Sequence, residues 1–310
     1  MSDEKKYLFG PVPSRRLGLS LGVDIIQFKV CSLDCVYCQL GRTTEKTTQR
    51  KEYVQIAPVI EELKDWIQKG GKADYITLSG SGEPTLNSRF GDLIDEIKKI
   101  TDIPVAVITN STLLTDETTR NACLKADLVV PSLDAADQEI FEKINRPASN
   151  INIEEIIEAL RLFKLQFKGK FWLEIFFIES VNTSDQHIAQ LKKAIDVIKP
   201  DKIQLNTAVR PTADQGINPM AYEKLKAIAD KLGDNAEVVA SFSPSERGEK
   251  IQTTADTVLS MLKRRPCSLQ DICQSLAIHP NEALKYIGYL QQSKQISSEE
   301  KNTVIFYKAN

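Results

Sequence analysis

The sequence predicts an α/β fold, read from its pattern as either an open doubly wound sheet or a full or partial barrel, followed by a small winged helix-turn-helix module. Three observations carry this. Short β-rich runs alternate strictly with helical stretches from about residue 20 to 245. The alternation stops near Arg247, and the remainder reads as three helices followed by a hairpin. Strand-then-helix alternation is the pattern of a parallel sheet with its helices outside, and such folds carry their functional residues just past the C-terminal ends of the strands.

The predicted strands are Leu21 to Gln27, Asp74 to Ser79, Pro104 to Thr109, Asp127 to Leu133, Phe171 to Ile178, Lys202 to Thr207 and Ala236 to Ser241. Each is a short apolar or β-branched run, as expected of strands buried on both faces. The helices between them are Ala57 to Lys69, Phe90 to Ile100, Thr115 to Leu124, Asp137 to Ile144, Ile153 to Gln166, Ser184 to Ile198 and Pro219 to Leu232. In the tail, Ala255 to Lys263 and a run starting at Ser268 read as helices. A third helix opens at His279-Pro280-Asn281 and reaches about Gln292. Gln295 to Ser297 and Thr303 to Tyr307 read as strands around a polar turn, Glu299 to Asn302. The domains expected are therefore 1–247 and 248–310.

Composition narrows the function. Hydrophobic residues at 42% and charged residues at 26% are those of a folded globular chain. A net charge of -2 gives no global basic field for nucleic acid or anionic membrane. The first ten residues, MSDEKKYLFG, lack the apolar core of an export signal, and no apolar run is long enough to span a bilayer, so a cytoplasmic protein is expected. His187 and His279 are the only histidines, which starves three-His zinc sites and Ser-His-Asp hydrolysis of parts. The six cysteines, Cys31, Cys35, Cys38, Cys123, Cys267 and Cys273, read as reduced thiols or metal ligands.

Cys31, Cys35 and Cys38 fall in one loop after the first predicted strand, where a β/α fold places its chemistry. Three apolar core cysteines at spacings of four and three, in a polar loop, are hard to explain as packing. Structural zinc asks for a closed tetrahedral set, and no fourth Cys or His lies nearby in sequence. An iron-sulfur cluster held by three thiolates leaves one iron open, as catalysis requires.

The CxxxCxxC arrangement, with Tyr37 before its last cysteine, resembles the signature of the radical S-adenosylmethionine (SAM) superfamily. Three later segments strengthen the resemblance in order: Gly80-Ser81-Gly82-Glu83-Pro84 is similar to a Gly-Gly-Glu-Pro element, Thr109-Asn110-Ser111 to Thr-Asn-Gly, and Ser132-Leu133-Asp134 to Ser-Leu-Asp. Rival readings of the glycine loop fail, since a GxGxxG starting at Gly80 meets Thr85 where its third glycine belongs and no GxxxxGK[ST] run occurs.

The resemblance implies a partial (β/α) TIM-type barrel in which Cys31, Cys35 and Cys38 hold a 4Fe-4S cluster whose open iron is chelated by SAM. It implies that Gly80, Ser81, Gly82 and Glu83 hold the methionyl amino end, that Tyr37 lies beside adenine, and that Asn110 and Ser132 reach the ribose or methionyl carboxylate. It also implies a low-potential electron donor of flavodoxin or ferredoxin type and a 5′-deoxyadenosyl radical that abstracts hydrogen from a substrate. The segments Phe9 to Gly18 and Val36 to Gly41 resemble the wyosine-synthase-like group, although this chain has no cysteine before Cys31 for a second cluster.

Arg15, Arg16, Arg146 and Arg210 offer planar forks for phosphate or carboxylate, with Arg146 and Arg210 the candidates for substrate contact. Glu174 stands out as a carboxylate in a strand rich in Phe and Ile. The tail carries Lys285, Tyr286, Tyr289 and Gln291 on its expected recognition helix, and winged helices bind proteins as well as nucleic acid, so RNA or protein is the expected partner there. The competing readings are an iron-sulfur-sensing DNA-binding transcription regulator and a peptide-modifying radical SAM enzyme.

Overall fold

The computed structural model describes residues 7–14, 16–208, 212–214, 216–239, 255–276, 283, 286, 287, 290, 291, 293–301 and 304–310. Its main sheet contains β1 (Leu8–Ser14), β2 (Gly18–Val23), β5 (Tyr75–Leu78), β6 (Val105–Thr109), β7 (Leu128–Pro131), β8 (Lys170–Phe176), β9 (Lys202–Asn206) and β10 (Ala236–Val238), which neighbour one another in chain order. From β2 onward every pairing is parallel, whereas β1 pairs antiparallel with β2 at the edge. A small parallel pair, β3 (Val30–Cys31) with β4 (Glu45–Lys46), lies between β2 and β5 in the chain.

That strand order decides between the alternatives left open by the pattern. A doubly wound sheet reverses its strand order at a switch point, whereas strands added in chain order with right-handed crossovers place every helix on one face. The helices are α1 (Ile56–Gln68), α2 (Phe90–Ile100), α3 (Glu117–Cys123), α4 (Gln138–Asn145), α5 (Ile153–Gln166), α6 (Asp185–Ile198) and α7 (Tyr222–Leu232). The result is a partial barrel.

The two-residue period of a strand sorts the side chains. Leu21, Val23, Ile76, Leu78, Val105, Val107, Val129, Leu173, Ile175, Ile203 and Leu205 join the helices in the main core. Their alternates Ala106, Leu128 and Val130 face the lumen and pack there with Leu17 from the turn before β2, beside Tyr75, Ile108 and Trp172. Ser20 meets Thr77 at 2.7 Å on the same face. Deeper polarity comes from Glu174, which accepts from Asn206 Nδ2 at 2.9 Å and forms a two-point ion pair with Arg16 from the turn between β1 and β2. The Phe9 to Gly18 segment therefore builds the hairpin that edges the barrel. The Phe9 ring occupies the space a Cβ on Gly22 would need, only 2.1 Å away.

In the tail, α8 (Ala255–Arg264), β11 (Cys267–Ser268) and α9 (Leu269–Leu276) are followed by β12 (Ile296–Lys301) and β13 (Val304–Ala309), and the three strands form an antiparallel sheet in the order β11-β13-β12. Val258, Leu262, Ile272, Leu276, Ala283, Ile287 and Leu290 form a separate small core. The hairpin is tighter than expected, because Glu299, Glu300 and Lys301 are paired strand residues instead of turn. His279, Lys285 and Tyr289 lie outside the described residues, as do Arg15 and Arg210. Both α8 and α9 pack against β1. No helix among the described residues is long and apolar enough to cross a membrane.

Candidate active site

The three-cysteine loop sits at the C-terminal mouth of the barrel and is pinned by backbone hydrogen bonds from two sides. Asp34 and Val36 donate to the carbonyls of Asn145 and Ile144 at the end of α4, both at 2.9 Å. Thr47 donates to the Cys31 carbonyl at 2.9 Å, and Cys38 closes a turn on Cys35 at 3.1 Å. All three cysteines are half-buried. Each thiol is met by one side-chain nitrogen: Asn110 Nδ2 lies 3.4 Å from Cys31 Sγ, Asn145 Nδ2 3.3 Å from Cys35 Sγ, and Lys29 Nζ 3.1 Å from Cys38 Sγ.

Burial, then the Glu83 carboxylate, pushes the Cys31 thiol up to about 12, and Cys38 adds to the rise. Burial followed by Asp134 and Cys31 holds the Cys35 thiol well above its ordinary value. Thiols that oppose one another's ionisation in a shared loop fit a site completed by cations, since coordination deprotonates a thiol outright. Among the described residues no three His, Cys, Asp or Glu side chains converge on one metal ion. A single zinc would draw its sulfurs to about 3.8 Å from one another. A four-iron cluster has no such need, because each thiolate binds a different iron. Three thiols in one loop, each beside a single side-chain nitrogen, fit a cluster held by three thiolates.

Beside the thiols runs the Gly80–Glu83 loop, and its glycines are dictated by close approach. Gly80 has φ +153°, and a Cβ on it would stand 2.5 Å from Asp24 Cγ; one on Gly82 would stand 1.9 Å from the Val30 carbonyl oxygen. The loop pairs with the chain entering Cys31, through Lys29 N–H on the Ser81 carbonyl at 2.7 Å and Glu83 N–H on the Val30 carbonyl at 3.2 Å. Asp24 holds Ser81 through its N–H at 3.2 Å and its hydroxyl at 2.5 Å.

The side chains expected to contact SAM or substrate are held by neighbours in this structure. Glu83 is buried, and its carboxylate accepts from Thr85 N at 3.1 Å, Thr85 Oγ1 at 2.5 Å, Thr109 Oγ1 at 2.7 Å and Asn110 N at 2.7 Å. It joins the loops after β5 and β6 instead of presenting a free carboxylate. The Asn110 amide donates to Cys31 and to Ser32 Oγ at 2.9 Å while its Oδ1 accepts from Thr112, so it bridges the cysteine loop and the loop after β6. Arg146 is held by both Asp214 oxygens, at 2.9 and 2.5 Å, and Arg16 by Glu174; neither offers an uncompensated charge to an anion. Cys123 and Cys267 are buried thiols remote in role from the loop.

Tyr37, Asn110, Ser132, Asp134 and Asn145 line one small recess backed by Leu33, Leu133, Phe141, Ile153 and Ile156, with room for about one water molecule. The Tyr37 ring stacks on Phe176 at 3.8 Å and 9°, and its hydroxyl donates to Asp134 Oδ2. Asp134 also accepts from Asn145 Nδ2 at 2.7 Å and from Phe176 N at 2.8 Å. The buried Asn145 Oδ1 has no partner among the described residues, leaving an acceptor for a bound amine or hydroxyl, as SAM would bring. Lys29, Asp24, Asp134 and Asn145 were missed from sequence; Lys29 two residues before Cys31 and Asp134 within Ser-Leu-Asp were the available signals.

Burial raises the Asp134 carboxyl to about 6, against the pull of the hydrogen bonds from Tyr37, Asn145 and Phe176 N. A carboxyl whose folded value exceeds its unfolded one binds protons more readily in the native state. Stability should therefore fall as pH rises from about 4 to about 6, by up to roughly 3 kcal/mol from this group. Urea unfolding across that range should show the slope in the wild type and lose that part of it in Asp134→Asn; an equal slope in both would remove Asp134 as its source.

Comparison with known proteins agrees with this geometry. The family model for the radical SAM superfamily matches residues 25–191. The chain is 32% identical over 311 residues to a UPF0026 protein of Methanocaldococcus jannaschii, covering 97% of this chain and 95% of that protein. It is 36% identical over 308 residues to a Brachyspira hyodysenteriae protein named GTPase Obg, covering 98% of this chain but spanning only 45% of that longer protein. A radical SAM methyltransferase structure from Sphaerobacter thermophilus superposes with a TM-score of 0.53, covering 71% of this chain and 65% of that one at 17% identity.

Proposed function

Because the chain belongs to the radical SAM superfamily, and is a radical SAM enzyme that uses a 4Fe-4S cluster and SAM, we propose that Cys31, Cys35 and Cys38 hold the cluster and that the barrel mouth beside them receives SAM. The observation that carries the reading is one loop of three cysteines at the C-terminal mouth of a barrel whose strands run in chain order. When bound, the cluster supplies a low-potential electron and SAM a 5′-deoxyadenosyl group as hydrogen abstractor.

The chain's own residues bind and orient. Gly80, Ser81 and Gly82 shape the wall against which the methionyl end lies, with Glu83 tying that wall to Asn110. Ser132 and Asn145 Oδ1 offer hydrogen bonds, and Tyr37, fixed by Asp134 and Phe176, is an aromatic flank for adenine. The substrate's reacting end enters the lumen past Glu174 and Asn206. Gln204 Oε1 is buried there without a partner among the described residues and asks for a donor, such as an amide or hydroxyl. This favours a polar substrate over a strongly anionic one, because Arg16 and Arg146 are already neutralised.

Residues 1–247 would form the catalytic unit and 248–310 a winged helix module that recruits RNA or protein. The helix, helix and hairpin of the tail support this, as does the similarity of Phe9 to Gly18 to wyosine-synthase-like chains. A flavodoxin- or ferredoxin-type donor would supply the electron. Anaerobic reconstitution with iron and sulfide, followed by dithionite and SAM, should release 5′-deoxyadenosine, at least a hundredfold more than Cys31→Ala. Equal yields from the two proteins would overturn the assignment, whereas cluster-dependent binding to one DNA site without SAM cleavage would favour the transcription-regulator reading.

A further inference from the structure

Lys29 is a cation placed where the proposed cluster needs only thiolates. Its side chain is 3% exposed, and among the described residues no carboxylate forms an ion pair with it. Its Nζ donates to Cys38 Sγ at 3.1 Å. Burying an ammonium against a sulfur is costly unless that sulfur carries negative charge. Its backbone is anchored on both sides. Lys29 has φ +61°, its N–H is held by the Ser81 carbonyl at 2.7 Å, and its carbonyl accepts from Thr44 N at 3.1 Å and Glu45 N at 3.3 Å.

The three thiols are therefore not equivalent. Cys31 and Cys35 each face a neutral amide, from Asn110 and Asn145, whereas Cys38 faces a positive charge. Hydrogen bonds to ligating sulfurs and net charge near a cluster set its reduction potential, and charge-assisted bonds are roughly twice as strong as neutral ones. One-electron reduction adds a negative charge to a cluster, so a fixed cation at one thiolate stabilises the reduced form.

Resting on the cluster reading above, we infer that Lys29 is a positioning residue for charge that raises the reduction potential of the cluster through Cys38, bringing it within reach of a low-potential one-electron donor. Its removal leaves the backbone anchors at Ser81, Thr44 and Glu45 in place, because none of them uses the side chain.

The test is a redox titration of the reconstituted protein followed by electron paramagnetic resonance, with iron and sulfide contents measured alongside and no SAM present. Lys29→Met should keep a full cluster while its reduced-to-oxidised ratio at a fixed potential falls at least tenfold, a shift of about 59 mV to lower potential. Lys29→Gln, which keeps a donor but not the charge, should fall between Met and wild type, and Lys29→Arg should restore the wild-type ratio. Full clusters with unchanged midpoints in the Met and Gln variants would overturn the role. Loss of the cluster from both, in folded protein, would also overturn it by making Lys29 an assembly residue. A wild-type protein that takes up no cluster would instead sink the reading of the site itself.

Discussion

Gly82→Ala is expected to abolish cluster assembly while leaving all three cysteines untouched. A Cβ at Gly82 would stand 1.9 Å from the Val30 carbonyl oxygen, 3.0 Å from its carbon and 3.1 Å from Ile26 Cγ2. The first obstacle is backbone, so no side-chain rotation relieves it. Either the loop withdraws, breaking the Glu83–Val30 and Lys29–Ser81 hydrogen bonds, or β3 is displaced and carries Cys31 with it. Overpacking and the loss of two buried hydrogen bonds together place the cost near 4 kcal/mol, in the range reserved for severe core defects. Gly70→Ala is the matching control: its φ of +80° is strained for alanine, yet nothing lies within 4 Å of the added atom, and about 1 kcal/mol is expected. Iron and sulfide content after anaerobic reconstitution, with urea unfolding of the metal-free proteins, separates the two. A Gly82→Ala protein with a full cluster and wild-type stability would show that the glycine loop does not set the position of Cys31.

The same loop shows what could and could not be read from residues alone. Its glycines, its place after a strand and its neighbourhood to the cysteines were legible because strand ends converge in any β/α barrel. The direction of the Glu83 side chain was not, because it depends on Thr109 and Asn110 from the following strand end. Alternation of apolar runs located β2 and β5 to β10 within a few residues, since strands buried on both faces are continuous in sequence, whereas the two-residue strands β3 and β4 were missed. β1 was missed, as Gly10, Pro11 and Pro13 do not look like a strand; proline is tolerated there because β1 is an edge. The pairing of Arg16 with Glu174 spans 158 positions, and each residue was noticed singly as odd. Their juxtaposition needed the barrel to close around them.

The contact between the tail and the glycine loop was least visible of all, Arg264 and Ser81 being separated by 183 positions, and it leads to the second large effect. Arg264, the last residue of α8, donates from Nη1 to Asp24 Oδ2 and to Ser81 Oγ at 3.0 Å, and its guanidinium lies 4.3 Å from the Phe9 ring centroid. The paired side chains are 18% and 9% exposed, so this is an ion pair largely withdrawn from water. Removing one partner of such a pair strands the other charge, at about 3 to 5 kcal/mol. Asp24 keeps the Ser81 and Ile26 donors, which brings the expected loss for Arg264→Ala to about 2 to 3 kcal/mol. Asp24→Asn with Arg264→Ala should lose less than the two single changes summed, because no buried charge is left alone. Since Ser81 belongs to the proposed SAM wall, Arg264→Ala should also weaken SAM binding about tenfold at full cluster content, with Arg264→Lys in between. A chain ending at residue 249 should repeat the Arg264→Ala defect and additionally bare the face of β1 that α8 and α9 cover. Adding Asp24→Asn to that shortened chain should recover part of its stability. Equal SAM affinity in the full and shortened proteins, measured by equilibrium dialysis, would show instead that the tail and the barrel act independently at this site.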